Sequence, residues 1–188
     1  MTATEPAYEI YEGADAARRL DDFLGVYEEV YAEPPYREGP SDVAQFVEHY
    51  HAHTRRPGMR LVLARAGGEV VGFSYGYPLP ADTQWWTSVV EELPAGFTQE
   101  DGARTLAVIE LAVVKPWRRR GVAAALHALL REGLHVERVT LTVRPEPEAM
   151  AAQKAYASWG YREVGRSHPW EEAPYYTAMV LDLTRQVS

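Results

Sequence analysis

Ile109-Glu-Leu-Ala-Val-Val-Lys-Pro-Trp-Arg-Arg-Arg-Gly-Val-Ala123 decides how this chain is read. From Leu106 to Val114 every position except Glu110 is apolar, the pattern of a strand covered on both faces of a sheet. Apolar residues then recur at Val122, Leu126, Leu129 and Leu130, which is helical spacing, and Gly133 supplies a left-handed stop. Arg118, Arg119 and Arg120 therefore stand at the N-terminus of a helix, where the helix dipole opposes cations. An anion at the same spot removes that conflict, because free backbone N–H groups and basic side chains converge on it. A phosphate-bearing ligand is the economical reading; a solvated basic patch is the plain alternative.

The spacing separates this element from other strand–glycine–helix motifs. A P-loop requires G-x-x-x-x-G-K-[ST], and a dinucleotide fingerprint requires G-x-G-x-x-G; neither is present. What stands here is Arg118-x-x-Gly121-x-Ala123, preceded by Leu111-Ala112-Val113. Downstream, Val139, Leu141 and Val143 alternate with Thr140 and Thr142, giving a strand that ends at Arg144-Pro145. Ala152, Ala155, Tyr156 and Trp159 then mark one helical face, closed by Gly160.

This arrangement resembles the acetyl-coenzyme A signature, [QR]-x-x-G-x-[GA], of the GCN5-related N-acetyltransferases. The run Tyr156-Ala-Ser-Trp-Gly-Tyr161 is similar to the family's Y-x-x-x-G-[FY] element. The resemblance covers Leu106 to Arg166, while the N-terminal half shares only its order of elements. It implies acetyl-coenzyme A as co-substrate, contacted at Leu111, Ala112, Val113, Arg118, Arg119, Arg120, Gly121, Val122, Ala123 and Ala124. It also implies that the two central parallel strands splay near a bulge, with the pantetheine arm bonding to the backbone of Leu111 to Val113. The chain departs from the family at Ala149, where many members carry an Asn that contacts the coenzyme; there is no Asn anywhere in this sequence.

Composition sets the outer bounds. A chain of 188 residues fits one domain spanning 1–188, with 46% hydrophobic and 24% charged residues as in ordinary globular proteins. No apolar run approaches a membrane span of about 20 residues. The first seven residues carry neither a basic nor an apolar leader segment, so the cytoplasm is the default compartment. The absence of cysteine removes disulfides, a thiolate nucleophile and Cys-based zinc sites. A net charge of −8 argues against nucleic-acid binding; it suits either attraction of cationic acceptors or plain solubility. A homodimer is left open.

Along the chain the pattern predicts a strand at Tyr8–Tyr11, a helix over Ala14–Tyr31 and a second helix from an N-cap at Ser41 to about His53. A hairpin follows, with strands Arg60–Ala66 and Val70–Tyr77 flanking Gly67-Gly68. Pro78–Gly102 exceeds the usual connection length and reads as a lid or substrate-binding insertion with one helical turn. Tyr161–Ser167 and Tyr175–Leu183 close the chain as an antiparallel pair. The fold class is α/β (α+β): a mixed central sheet, mostly antiparallel with one central parallel pair, with helices on both faces.

Two residues are candidates for chemistry. A carboxylate at Glu110, in an otherwise apolar strand, has its pKa raised by burial toward the range of a general base, which N-acetyl transfer needs because an ammonium has no lone pair. The alternative is a carboxylate paired with an arginine or a backbone donor. Tyr156 is either a core residue with its hydroxyl at the edge or, as its match to the family tyrosine implies, the group that protonates or hydrogen-bonds the departing thiolate. Tyr36, Tyr75, Trp85, Trp86 and Trp170 could line an acceptor pocket through cation–π contact, or serve individually as core. His49 and His53 lie one helical turn apart without a completing ligand, so no metal site is expected. The leading reading is an acetyl-coenzyme A-dependent N-acetyltransferase that moves an acetyl group to a small-molecule or peptide primary amine by direct attack in a ternary complex. The other is a non-catalytic acyl-coenzyme A-binding sensor or scaffold.

Overall fold

The structure, a computed structural model, describes residues 5–184. Its strands are β1 (Ala7–Glu12), β2 (Arg60–Ala66), β3 (Glu69–Pro78), β4 (Thr105–Val113), β5 (Arg138–Val143), β6 (Arg162–Ser167) and β7 (Tyr176–Asp182). They form one seven-stranded mixed sheet in the order β1-β2-β3-β4-β5-β7-β6. Helices α1 (Gly13–Ala17), α2 (Leu20–Tyr31), α3 (Pro40–His53), α4 (Val122–Leu130) and α5 (Met150–Ser158) complete the expected α+β class. The single parallel pair is β4 with β5, joined residue to residue from Thr105–Ala107 to Arg138–Thr140. That ladder ends well short of the end of β4 at Val113. Among the described residues no helix is long and apolar enough to cross a membrane.

The chain divides into two compact units, Met1–Tyr77 with Val108–Leu134 and Pro78–Ala107 with His135–Ser188. In the first, an aromatic cluster forms the core: the Phe23 ring lies 4.4 Å from Phe73, 5.2 Å from Tyr50 and 6.3 Å from Phe46. Gly72 of β3 is where close approach requires a glycine. A Cβ there would sit 3.0 Å from the Ala112 carbonyl oxygen, 3.2 Å from Val113 Cγ2 and 3.3 Å from Leu126 Cδ1. The missing side chain thus lets β3, β4 and α4 pack together.

The expected helix over Ala14–Tyr31 is broken into α1 and α2. The reason lies at Ala16, whose carbonyl accepts the buried Tyr50 hydroxyl at 2.7 Å and the Arg19 N–H at 3.0 Å. That carbonyl would otherwise take the Leu20 N–H and continue the helix. Helix α3 begins one residue before the expected N-cap at Ser41. Pro40 occupies the first helical position, where its missing N–H costs nothing, and the Asp42 carboxylate accepts the Gly39 N–H at 2.8 Å.

In the second unit Leu79, Trp86, Leu106, Val139, Leu141, Val180 and Leu181 are buried. Pro78–Gly102, read as an insertion with one helical turn, contains a single 3₁₀ turn at Trp86–Ser88. The segment is fastened at several points. Leu79 donates its N–H to Thr105 at 2.8 Å, Val90 to Arg166 at 2.8 Å, and Val89 bridges Ser167. At its foot, Glu100 Oε1 accepts from Trp86 Nε1 (2.9 Å), Thr105 Oγ1 (2.7 Å) and Arg138 Nη2 (2.8 Å). The Arg138 guanidinium lies over the rings of Phe97 (4.3 Å) and Trp86 (4.9 Å). Both partners are withdrawn from solvent, with the Glu100 side chain 0% and the Arg138 side chain 7% exposed.

Removing one member of a buried pair strands the other without a counter-charge. Glu100→Ala should therefore destabilise the protein by about 3–5 kcal/mol. Urea denaturation followed by tryptophan fluorescence checks this, and a loss under about 1 kcal/mol would show that the pair is not what fastens the segment.

Candidate active site

Glu110 stands in β4, and backbone and side-chain contacts hold both of its polar ends. Its carbonyl accepts the hydroxyl of buried Ser74 at 2.8 Å, which fixes the main chain of β4 against β3. Its carboxylate Oε2 accepts a hydrogen bond from the Tyr31 hydroxyl at the C-terminal end of α2. The Tyr31 ring lies between two others, tilted 4.5 Å from Tyr27 and edge-on 4.8 Å from Tyr36. Tyr27 in turn stacks at 3.8 Å on Phe46 of α3 and donates its hydroxyl to Glu38 at 2.5 Å. On β3, buried Tyr75 meets His53 Nδ1 through its hydroxyl at 3.1 Å. The first unit thus gathers a carboxyl, phenols and an imidazole from α2, α3, β3 and β4.

Electrostatics set the protonation of this cluster. Burial pushes the Glu110 carboxyl up to about 8; the Tyr31 hydrogen bond opposes that rise, and the nearby Glu38 charge adds to it. The Tyr31 hydroxyl is held well above its ordinary value, by burial first and by Glu110 second, so it remains a donor at every physiological pH. Tyr75 is raised for the same two reasons. Burial lowers His53 to about 4, with Arg56 and His49 adding to the effect, so its imidazole is neutral at pH 7.

After β4 the chain takes a 3₁₀ turn at Lys115–Trp117 and then two left-handed steps, Arg119 at φ 62° and Gly121 at φ 80°, before α4. A Cβ at Gly121 would meet no neighbour, so the backbone conformation, not crowding, favours glycine there. The first bond inside α4 runs from Ala125 N–H to Gly121. The N–H groups of Val122, Ala123 and Ala124 precede it and have no acceptor within the helix. The three arginines do not act as one group. Arg118 forks onto Glu33 at 2.8 and 2.9 Å and donates Nε–H to the Val113 carbonyl at 2.8 Å. Arg120 lies over the Trp117 ring at 5.1 Å, and Arg119 and Arg120 are exposed. In β4, Ala112 and Val113 are buried and Leu111 is half-buried.

The remaining candidates fall into different surroundings. Tyr36 belongs with Tyr31 beside Glu110, and Tyr75 is buried against His53. Trp85, Trp86 and Trp170 lie in the second unit. Trp86 is 4% exposed and is used up by Glu100, Phe97 and Arg138, which leaves it little surface to offer an acceptor. Trp85 is half-buried and Trp170 is 55% exposed. Tyr156 sits half-buried on α5, its ring 5.5 Å from Trp159 and 5.8 Å from Tyr161. Ala149, where the family's Asn is missing, is buried, and the Gln153 amide bridges the carbonyls of Arg144 (2.7 Å) and Glu146 (3.1 Å) in the turn before it. Among the described residues no group of three His, Cys, Asp or Glu could hold a metal ion. The residues missed by the sequence reading are Tyr31, Glu38 and Glu33. The only available signal was the spacing of Phe23, Tyr27 and Tyr31 on one helical face, which shows a stripe but not what the stripe touches.

A sequence profile described as the acetyltransferase (GNAT) family matches residues 22–161. No curated protein sequence matches the chain. Among solved structures, a GNAT-family protein from Desulfovibrio desulfuricans is 14% identical, with 94% of this chain and 98% of that one covered at a TM-score of 0.62. The diaminobutyrate acetyltransferase of Paenibacillus lautus, solved with L-2,4-diaminobutyric acid and coenzyme A, is 18% identical over 95% of each chain at 0.60. The PaiA N-acetyltransferase of Thermoplasma acidophilum, solved with coenzyme A, is 11% identical over 94% of this chain and 99% of that one at 0.58. These are likenesses of fold.

The raised carboxyl has a consequence for stability. A carboxyl whose pKa is higher folded than unfolded favours the folded state below its unfolded value of about 4.5, and that contribution is lost as pH rises through about 8. Glu110→Gln removes the titration. The variant should therefore gain on the parent as pH climbs from 5 to 9, by on the order of 2 kcal/mol given the partial exposure of the residue. Thermal denaturation of both proteins across that range checks it, and parallel curves would show that Glu110 does not titrate there.

Proposed function

This chain belongs to the acetyltransferase (GNAT) family, and we propose that it is an N-acetyltransferase that moves an acetyl group from acetyl-coenzyme A to a primary amine by direct attack. The observation that carries the reading is Glu110: a half-buried carboxyl that accepts the Tyr31 hydroxyl, with its pKa pushed up to about 8, on the strand that leads into a glycine-opened helix able to receive a phosphate. The profile match runs through both compact units, which supports reading 1–188 as one acetyltransferase domain.

The residues of the coenzyme site fit such a ligand. Gly121 leaves its approach side open, and the N–H groups of Val122, Ala123 and Ala124 point out of the first turn of α4, where the helix dipole favours anions. Arg119 and Arg120 are exposed beside it. The backbone of Leu111 and Ala112, which the β4–β5 ladder does not reach, is assigned to an extended pantetheine arm, while the Val113 carbonyl accepts from Arg118. The coenzyme supplies an activated thioester. Glu110, once deprotonated, takes the proton of the ammonium so that the nitrogen lone pair can form the C–N bond as the C–S bond breaks. Tyr156 is assigned to the departing sulfur, by protonation or hydrogen bonding, on its match to the family tyrosine.

A base with a pKa near 8 must lose its proton to work, so kcat/KM should rise with pH and level off above about 8. A library of primary amines, assayed for acetyl-coenzyme A-dependent release of free thiol, tests the activity itself. Glu110→Gln should lower turnover by roughly 10²-fold and flatten the acidic limb, with acetyl-coenzyme A affinity unchanged by calorimetry. Tyr156→Phe should lower turnover by about 10- to 10³-fold. Loss of a basic limb would indicate proton donation, and a pH-independent drop would indicate hydrogen bonding alone. Coenzyme binding without thiol release for any amine would favour the sensor reading, toward which Ala149 in place of the family's Asn already leans.

A further inference from the structure

The Glu110 carboxylate is half-buried, and it is aimed. Among the described residues its side-chain donor is the Tyr31 hydroxyl, which comes from 79 positions earlier in the chain and binds Oε2. The donor is itself held on both sides. Its ring is fixed against Tyr27 at 4.5 Å and Tyr36 at 4.8 Å, and Tyr27 is locked by its stack on Phe46 and its bond to Glu38. A side chain packed between two rings has few rotamers to explore, so the hydroxyl is preorganised toward one carboxylate oxygen.

Resting on the reading of Glu110 as general base, we propose that Tyr31 is a positioning residue for the transfer reaction: its hydroxyl fixes Oε2 so that Oε1 is presented to the ammonium proton, and its bond favours the ionised carboxylate that removes that proton. The groups facing Glu110 make Tyr31 the element that can do this. Glu38, from the connection after α2, carries like charge and disfavours ionisation. Tyr27 spends its hydroxyl on Glu38, and Tyr75 of β3 spends its own on His53 of α3, which is neutral. Ser74 bonds the backbone carbonyl of Glu110, not the carboxylate. Tyr31 alone opposes burial at the carboxyl, and because its own proton is held so tightly it acts as a donor and never as a competing base.

Tyr31→Phe keeps the ring and removes only the donor. With the ionised form deprived of its hydrogen bond, the Glu110 pKa should rise by about one unit. Titration of the Glu110 carboxyl by ¹³C NMR in the ligand-free protein reads this directly, with Glu110→Gln assigning the resonance. In kinetics, with acetyl-coenzyme A and the amine that the library identifies, the acidic limb of kcat/KM should move upward by the same unit. The rate at pH 7 should fall about tenfold, with recovery above the limb. Tyr50→Phe, which loses a buried hydroxyl bond to Ala16 elsewhere in the same core, should lower the melting temperature and leave the limb in place.

A carboxyl that titrates alike in the parent and Tyr31→Phe would overturn the inference and leave Glu110 as base. A limb shifted equally by Tyr50→Phe would overturn it too, since the effect would then be general loosening. A limb that survives Glu110→Gln would remove the base reading, and Tyr31's role with it.

Discussion

Placing a carboxyl in the middle of a strand that is otherwise apolar is the constraint to which the first unit answers. Left alone, that carboxyl would be an unpaired polar group in an apolar wall, costly in either protonation state. The structure meets it from two directions. The Ser74 hydroxyl secures the backbone at Glu110, and the Tyr31 hydroxyl reaches the side chain from the end of α2. For Tyr31 to arrive there, α2 must be docked, and the packing of Phe23 and Tyr27 against Phe46, Tyr50 and Phe73 docks it. The aromatic core and the polar site are in this sense one device: the stacked rings hold the helix, and the helix delivers the phenol.

A second link ties the same helix to the glycine-opened loop. Arg118, the extended residue just before the left-handed steps at Arg119 and Gly121, forks onto Glu33 just past the end of α2 and reaches back to the Val113 carbonyl at the end of β4. Two parallel N–H···O bonds fix direction as well as distance. The arginine nearest the strand is therefore committed to shaping the loop, while Arg119 and Arg120 remain exposed. Three consecutive arginines look equivalent in a sequence. Their different roles follow from backbone angles and from a glutamate far away in the chain.

That contrast marks what was legible. The sheet, its one parallel pair, the strand carrying Glu110 and the Gly121 helix could all be read, because period and turn chemistry are local. The break between α1 and α2 could not, since it arises where Tyr50, from another helix, claims the Ala16 carbonyl. The N-terminus of α3 moved because Pro40 and Asp42 together outweigh Ser41. Trp86 read as either an acceptor wall or core, and it is buried against an ion pair formed by Glu100 and Arg138, which lie far apart in the chain. Tyr31 was visible only as the last turn of a helix. Long-range partners carry the information that spacing lacks.

Glu100 and Glu110 differ in what meets their carboxylates. Glu100 gives a single oxygen to an indole, a hydroxyl and a guanidinium, so it faces a full positive charge. Removing either member of that pair would leave the other without its counter-charge. Among the described residues no cation acts on Glu110. Its donor is a neutral phenol, and its nearest charged neighbour in the cluster is another carboxylate. Neither protonation state is strongly preferred near neutral pH, which is the condition under which a carboxyl can accept a proton and return it at low cost. What separates a structural carboxylate from a working one is whether the group that meets it brings a charge or only a hydrogen.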